Sequence, residues 1–374
     1  MKVPSAIIST YVKRIMMPKV IVLDIPGFVN EDFRKIGLDI SLRQFFIPES
    51  LISELEILLS KDEKFIYLIG KKFGYAYASL SNLPNIDKIS RKKFEEYVSF
   101  QMIFTEGTYA QNIKYNLDYD NRTIKINMKD YIVCRKNGLG YFFSSGGIGG
   151  IWAWVIQDKN IEAIQTKCQG KGSEECEVIA APYETLVKMN YKPIKCSDLE
   201  KIQFGKDYEG FNKIMPTNWA KLSSRNLIDS GFFKYSHGQI TYNDERFFIT
   251  EASFMYILER ELKKVESGLK ILWNVSFGFG KKLAEKSGKQ DPCKFIMDFF
   301  PALGFGDILA VTKKGEYEII VNYFPWLDMY KEIDFVMFRG MLSGVISGFT
   351  GKTVELNKIE KDLTSGYLSL HITQ

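Results

Sequence analysis

Cys168 and Cys176 bracket the segment CQGKGSEEC, with Gly170 and Gly172 inside the loop. A loop this rich in glycine can fold back and bring both thiolates to one metal ion. Zinc takes four ligands in a tetrahedron, so two more are required. Cys134, read as lying on a strand ahead of a glycine-rich helix, is the third candidate ligand. Glu162 and Glu175 are candidates for the fourth, but spacing alone places neither. The expectation is one zinc, in the first half of the chain only. The competing reading is three buried, apolar thiols. A 168–176 disulfide does not suit a reducing compartment.

Other chemistry is poorly supplied. His237 and His371 are the only histidines, which nearly excludes histidine-built catalytic or metal clusters. No Ser-His-Asp set, carboxylate pair or activated cysteine can be picked out. GFGKKLA has the wrong spacing for a phosphate loop, and GGIGG lacks the dinucleotide fingerprint.

The cysteine loop belongs to a segment that occurs twice. Residues 146–178 align without a gap on residues 340–372. Gly146 falls on Gly340, Gly150 on Gly344 and Gly172 on Gly366, while Cys168 meets Asp362 and Cys176 meets Leu370. Upstream, GKKFGYA at 70–76 answers GKKLAEK at 280–286. Only the first copy kept its thiols. Bulky aromatics flank the glycine helix in both: Tyr141, Phe142, Phe143, Trp152 and Trp154, then Phe305, Phe324, Trp326, Phe335 and Phe338. They either wall an apolar ligand cavity or fill a core. The candidate ligand-binding residues are Phe142, Phe143, Trp152, Trp154, Phe305, Phe324, Trp326 and Phe338.

The elements that must position these residues follow from periodicity. Leu51, Ile52, Leu55, Leu58 and Leu59 have helical spacing, with Ser50 as a plausible N-cap. A second helix runs through Phe65–Ala78. NIKYNLDYDNRTIKINMKDYIV alternates like a β-hairpin turning at Asp120-Asn121. A small-residue helix spans 146–160 and a strand 173–182. Residues 183–228 carry the boundary. In the second copy a hairpin turns at 236–238, Thr250-Glu251 starts a helix, and the order then repeats. The expected division is an N-terminal segment 1–29, a first domain 30–182, a linker 183–228 and a second domain 229–374. The expected fold class is α+β, two tandem antiparallel sheets packed with helices and paired within the chain.

With 374 residues, two domains of ordinary size fit. The net charge of +5 is spread along the chain, so no nucleic-acid binding is expected. Five cysteines, an odd number, and no secretory signal suggest the cytoplasm. No apolar run reaches about 18 residues, so no spanning helix is expected. MKVPSAIISTYVKRIMM is the nearest thing to a targeting segment, and Met16 or Met17 is an alternative start.

This order of elements resembles the vinyl-4-reductase domain, a family related to the small subunits of the TRAPP tethering complex. The residues that carry the resemblance are Gly146, Gly150, Cys168, Gly172 and Cys176, followed by Glu177 and Val178. GQITYNDERFFITEASFMYILEREL resembles the N-terminal sensor module of aromatic-catabolism activators, and LGFGD at 303–307 is similar to their Gly-aromatic-Gly turn. The resemblance covers about residues 30–182 and 229–374. It implies non-catalytic binding of a small hydrophobic ligand, aromatic or acyl, in a sensory or carrier role. It also implies a carboxylate zinc ligand just ahead of the first cysteine of the pair, where this chain has Gln165. The activators continue into an ATPase and a helix-turn-helix; here the sequence stops at Gln374, implying a binder without output modules. An adaptor of TRAPP type, acting through a protein partner or as a homo-oligomer, is the alternative, and a reductase a more distant one.

Overall fold

The computed structural model describes residues 20–36, 40–199, 216–236, 239–313, 315–324, 333–362 and 367–371. Trp326, His237, Gly366 and most of the segment 1–29 lie outside them. The chain opens with strands β1 (Ile21–Val22), β2 (Val29–Asp32) and β3 (Ser41–Pro48). Helices α1 (Glu49–Leu59), α2 (Glu63–Leu80) and α3 (Arg91–Thr108) follow, then the hairpin β4 (Gln111–Asp118) and β5 (Thr123–Lys129). A short α4 (Cys134–Asn137) leads into a π-helical stretch, Tyr141–Gly147, that runs into α5 (Ile148–Ile156). Strands β6 (Ile161–Lys167) and β7 (Cys176–Pro182) and helix α6 (Tyr183–Lys188) complete the first half.

The second half repeats the order. Helix α7 (Ser224–Asp229) precedes β8 (Lys234–Ser236), β9 (Gln239–Tyr242) and β10 (Glu245–Glu251). Helices α8 (Ser253–Leu262), α9 (Gly268–Lys286) and α10 (Pro292–Ala302) come next. The hairpin β11 (Asp307–Lys313) and β12 (Glu316–Asn322), helix α11 (Val336–Thr350), and strands β13 (Lys358–Asp362) and β14 (Tyr367–His371) close the chain. The pairs β1-β2-β3-β10 and those of both four-stranded sheets are antiparallel, and the fold is α+β.

Two compact units result. The first is built mainly of residues 52–202, the second of residues 20–51 and 240–374. This differs from the division read in the sequence, where residues 30–51 belong to the first domain. The reason is pairing. Strand β3 joins β10, with Phe46 opposite Ile249 and Gln44 opposite Glu251. The six-stranded sheet runs β1-β2-β3-β10-β9-β8. Arg43, fully buried, donates to the carbonyls of Gly27 at 2.7 Å and Gly304 at 3.0 Å. That ties the N-terminal strands to the LGFGD turn.

Each unit has a four-stranded sheet of the same order, β4-β5-β7-β6 in the first and β11-β12-β14-β13 in the second. In each, a glycine helix lies on the long helix before it. A Cβ at Gly150 would stand 2.0 Å from the Lys71 carbonyl, and one at Gly344 2.1 Å from that of Phe277. Only hydrogen fits there, so these glycines are set by backbone contact.

Sequence and structure part in detail at several places: Ser50, read as an N-cap, lies inside α1, and the helix read as 146–160 spans Ile148–Ile156. Thr250-Glu251 ends strand β10, and the helix begins at Ser253. Cys134 opens a short helix instead of sitting on a strand. Helix α3 has no counterpart in the sequence reading.

Candidate functional site

The first unit brings Cys134, Cys168 and Cys176 together. Their sulfurs all lie within 4.8 Å of one another, and all three residues are buried. Cys134 Sγ is 3.5 Å from Cys176 Sγ. Three ligands on one tetrahedral zinc, at about 2.3 Å each, stand about 3.8 Å apart. The cluster therefore fits a single ion.

Each cysteine is placed by a distinct local device. Cys176 begins β7, opposite Met128 of β5. Cys168 follows β6 and precedes a 3-10 turn, Gln169–Lys171. That turn aims amide hydrogens at sulfur: Gln169 N–H donates to Cys176 Sγ at 3.4 Å, and the amides of Gly170 and Lys171 serve Cys168. Gly170 lets the turn lie on the third ligand, since a Cβ there would meet the Cys134 carbonyl at 2.3 Å. Cys134 follows Val133, whose φ is 63° and ψ −64°. The Cys134 N–H bonds the Ile132 carbonyl at 2.7 Å, closing a γ-turn. A β-branched residue at positive φ is strained.

The charge is shared unevenly. Hydrogen bonds from Cys134 and then Cys176, helped by the turn amides, pull the Cys168 thiol down to about 3. The bond to Cys168, the bond to Cys176 and burial push Cys134 well up. At Cys176 a bond from Cys134 lowers the value, but the Cys168 bond and burial outweigh it and raise it to about 11.

The carboxylates weighed as fourth ligands are engaged elsewhere. Glu162 accepts from Lys71 Nζ at 2.7 Å, from the Tyr67 hydroxyl at 2.8 Å and from the Cys196 amide at 2.6 Å. Lys71 and Glu162 side chains are fully buried. Burial lowers Lys71 and raises Glu162, and their attraction opposes both shifts. Glu175 accepts from Asn127 at 2.7 Å. Gln165 sits beside the cluster, with Oε1 2.6 Å from Ser144 Oγ and a buried Nε2 that has no partner among the described residues. Ser144 Oγ is also 2.7 Å from the Gly140 carbonyl. One hydroxyl proton cannot serve two acceptors. Turning the amide over lets Nε2 donate to Ser144 and leaves the carbonyl oxygen free.

Two cavities flank the π-helical stretch. The apolar one, about 120 Å³, is roofed by α3 through Phe94, Tyr97, Val98, Gln101, Met102 and Thr105. Its floor is Ile124, Ile126 and Met128 of β5, and its walls include Phe73, Tyr131, Phe143, Gly147, Ile151 and Trp152. No charged residue lines it. Burial holds the Tyr97 phenol well above its usual range, and its oxygen accepts from Gln101 Nε2 at 2.7 Å. The phenol keeps its proton. The polar cavity, about 380 Å³, is lined by Tyr141, Ser145, Gln165, Cys168, Lys171 and Lys192 among others. Tyr131 and Met128 carry the apolar wall to the thiols: Tyr131 precedes Cys134 by three residues, and Met128 faces Cys176.

Of the aromatic candidates, Phe143 and Trp152 line the apolar cavity. Phe142 does not; it is buried apart from it, with its amide donating to Glu56 at 2.9 Å. Trp154 is also outside, its indole bonded to the Leu83 carbonyl at 3.0 Å and its edge on Tyr75. In the second unit the rings pack on one another. Phe305 stacks on Phe338 at 5.1 Å, and Phe324 meets Phe338 at 4.9 Å, all fully buried. Phe300 of α10 joins them. Trp326 lies outside the described residues. Helix α3, which supplies most of the cavity roof, was missed in the sequence. Its signal was Ser90 as N-cap, bonded to the Lys93 amide, with Phe94, Val98 and Met102 four apart. Among the described residues, no helix is long and apolar enough to cross a membrane. Compared with known proteins, the chain matches no protein-family model and no curated protein.

Proposed function

We propose that the chain is a non-catalytic receptor for a small, neutral, hydrophobic ligand, with a thiolate-held metal ion beside the binding cavity. The observation that supports it is the uncharged cavity of the first unit, present in the same repeat that keeps the three thiols. A comparable engineered space of about 150 Å³ binds benzene, so one aromatic ring is the right scale. A charged ligand would be stranded there without a counter-ion. Tyr97 and Gln101 offer one donor and one acceptor to a hydroxyl or carbonyl. Cys134, Cys168 and Cys176 hold the ion, zinc by its preference for thiolate, and its chemistry is to fix the Tyr131–Cys134 turn against β7. Ligand and metal thus act on the same turn, as a vinyl-4-reductase-like sensor or carrier would require.

Native mass spectrometry tests this. The expected result is a mass excess of one zinc, lost in Cys168→Ser, and a further excess when a monocyclic phenol is added. No zinc and no ligand in any preparation would overturn it. A second reading, an adaptor of TRAPP type, draws support from the aromatic rings of the second unit, which pack on one another.

A further inference from the structure

We propose that the thiol centre keeps one coordination position open to the polar cavity, and that a small-molecule thiolate occupies it. This rests on the reading that the cluster holds a metal. Cys168 and Gln165 are in the cavity wall, while Cys134 and Cys176 are not. The cluster is therefore reached from one side. Three cysteines fill three of zinc's four positions. Among the described residues no carboxylate joins the three sulfurs, and Glu162 and Glu175 are held by Lys71, Tyr67, Cys196 and Asn127. Gln165 offers only a neutral amide, a weak ligand that a stronger one displaces. The space is large enough for such a ligand, at about 380 Å³.

Its chemistry points to a soft anion. Three sulfur ligands favour a fourth sulfur over oxygen. Lys171 and Lys192 in the wall, with Glu63 as the opposing carboxylate, offset the added negative charge. Lys167, also in the wall, lies 3.3 Å from Glu177 and is already neutralised. The roof at Lys192 and Ile194 is pinned separately from the ligand: Glu162 accepts the Cys196 amide, and Lys71 donates to the Cys196 carbonyl at 2.5 Å.

The test uses the full chain loaded with Co(II) under anaerobic conditions and titrated with 2-mercaptoethanol. Sulfur-to-cobalt charge transfer reports the number of thiolates. The expected result is a band before thiol is added, then a saturable rise of about a third as three sulfurs become four. Gln165→Glu should bind cobalt and show no rise, because its carboxylate closes the site. Gln165→Ala should keep the rise. No band before thiol defeats the metal reading itself. A band that never changes, or that disappears with cobalt released into the filtrate, leaves the metal centre standing and overturns the open position.

Discussion

Val133 shows how residue-scale strain serves the site. Its γ-turn conformation costs about 1–3 kcal/mol, offset only if something holds Cys134 in place. Val133 is also buried, so Val133→Gly trades relief of that strain against a lost core side chain; it should narrow the gain that zinc adds, as read by thermal melts with and without a chelator. Cys176→Ser should release the metal and lower the melting temperature by several degrees. Protein-bound zinc counted after desalting checks it. The pairing of Cys168 and Cys176 was legible because a glycine-rich loop is a local signal. The engagement of Glu162 by Lys71 was not, since 91 residues separate the partners. Gln165 was conspicuous in the sequence as a poor ligand. Its role in the cavity wall needed the neighbours that three dimensions supply.

At the scale of elements, α3 decides whether a cavity exists. In the first unit this helix bridges the sheet with partly buried side chains and leaves space beneath. In the second, α10 is shorter and drives Phe295, Phe299 and Phe300 into the core. Ile151→Trp should fill the cavity and weaken binding of a phenol at least tenfold while the far-ultraviolet spectrum is unchanged. Isothermal titration reads the affinity. The aromatic list in the sequence could not separate these outcomes, because wall and filler residues have the same composition. The hairpins and glycine helices were legible from their periods. Helix α3 was not, since its charged first turn hides a narrow apolar stripe. The strands carry their own switch. Glu31 is buried beside Glu251, and burial, then that neighbour's charge, raise it to about 8. The unfolded carboxyl ionises first, near 4.5, so stability falls as pH rises from about 4.5 to about 8. Glu31→Gln should remove that residue's share of the fall, and melts at pH 5 and 8 should then agree more closely than in the parent.

For the whole molecule, the repeat was plain in the sequence but its seam was not. Residues 20–51 read as the start of the first copy, yet they complete the six-stranded sheet of the second unit through β3 and β10. Pairing over that distance leaves no local trace. A fragment of residues 229–374 alone should therefore aggregate, with Phe247 and Ile249 on an unpaired edge. Light scattering on that fragment checks it, and adding residues 20–51 in trans should restore solubility.

The seam also sets a schedule. Strand β3 leaves the ribosome about 200 residues before β10 does, a wait on the order of ten to forty seconds at ordinary rates of synthesis. Throughout it, Phe45, Phe46 and Ile47 have no strand to join. The newborn chain spends that interval with three core side chains uncovered, and slower synthesis should lower its yield.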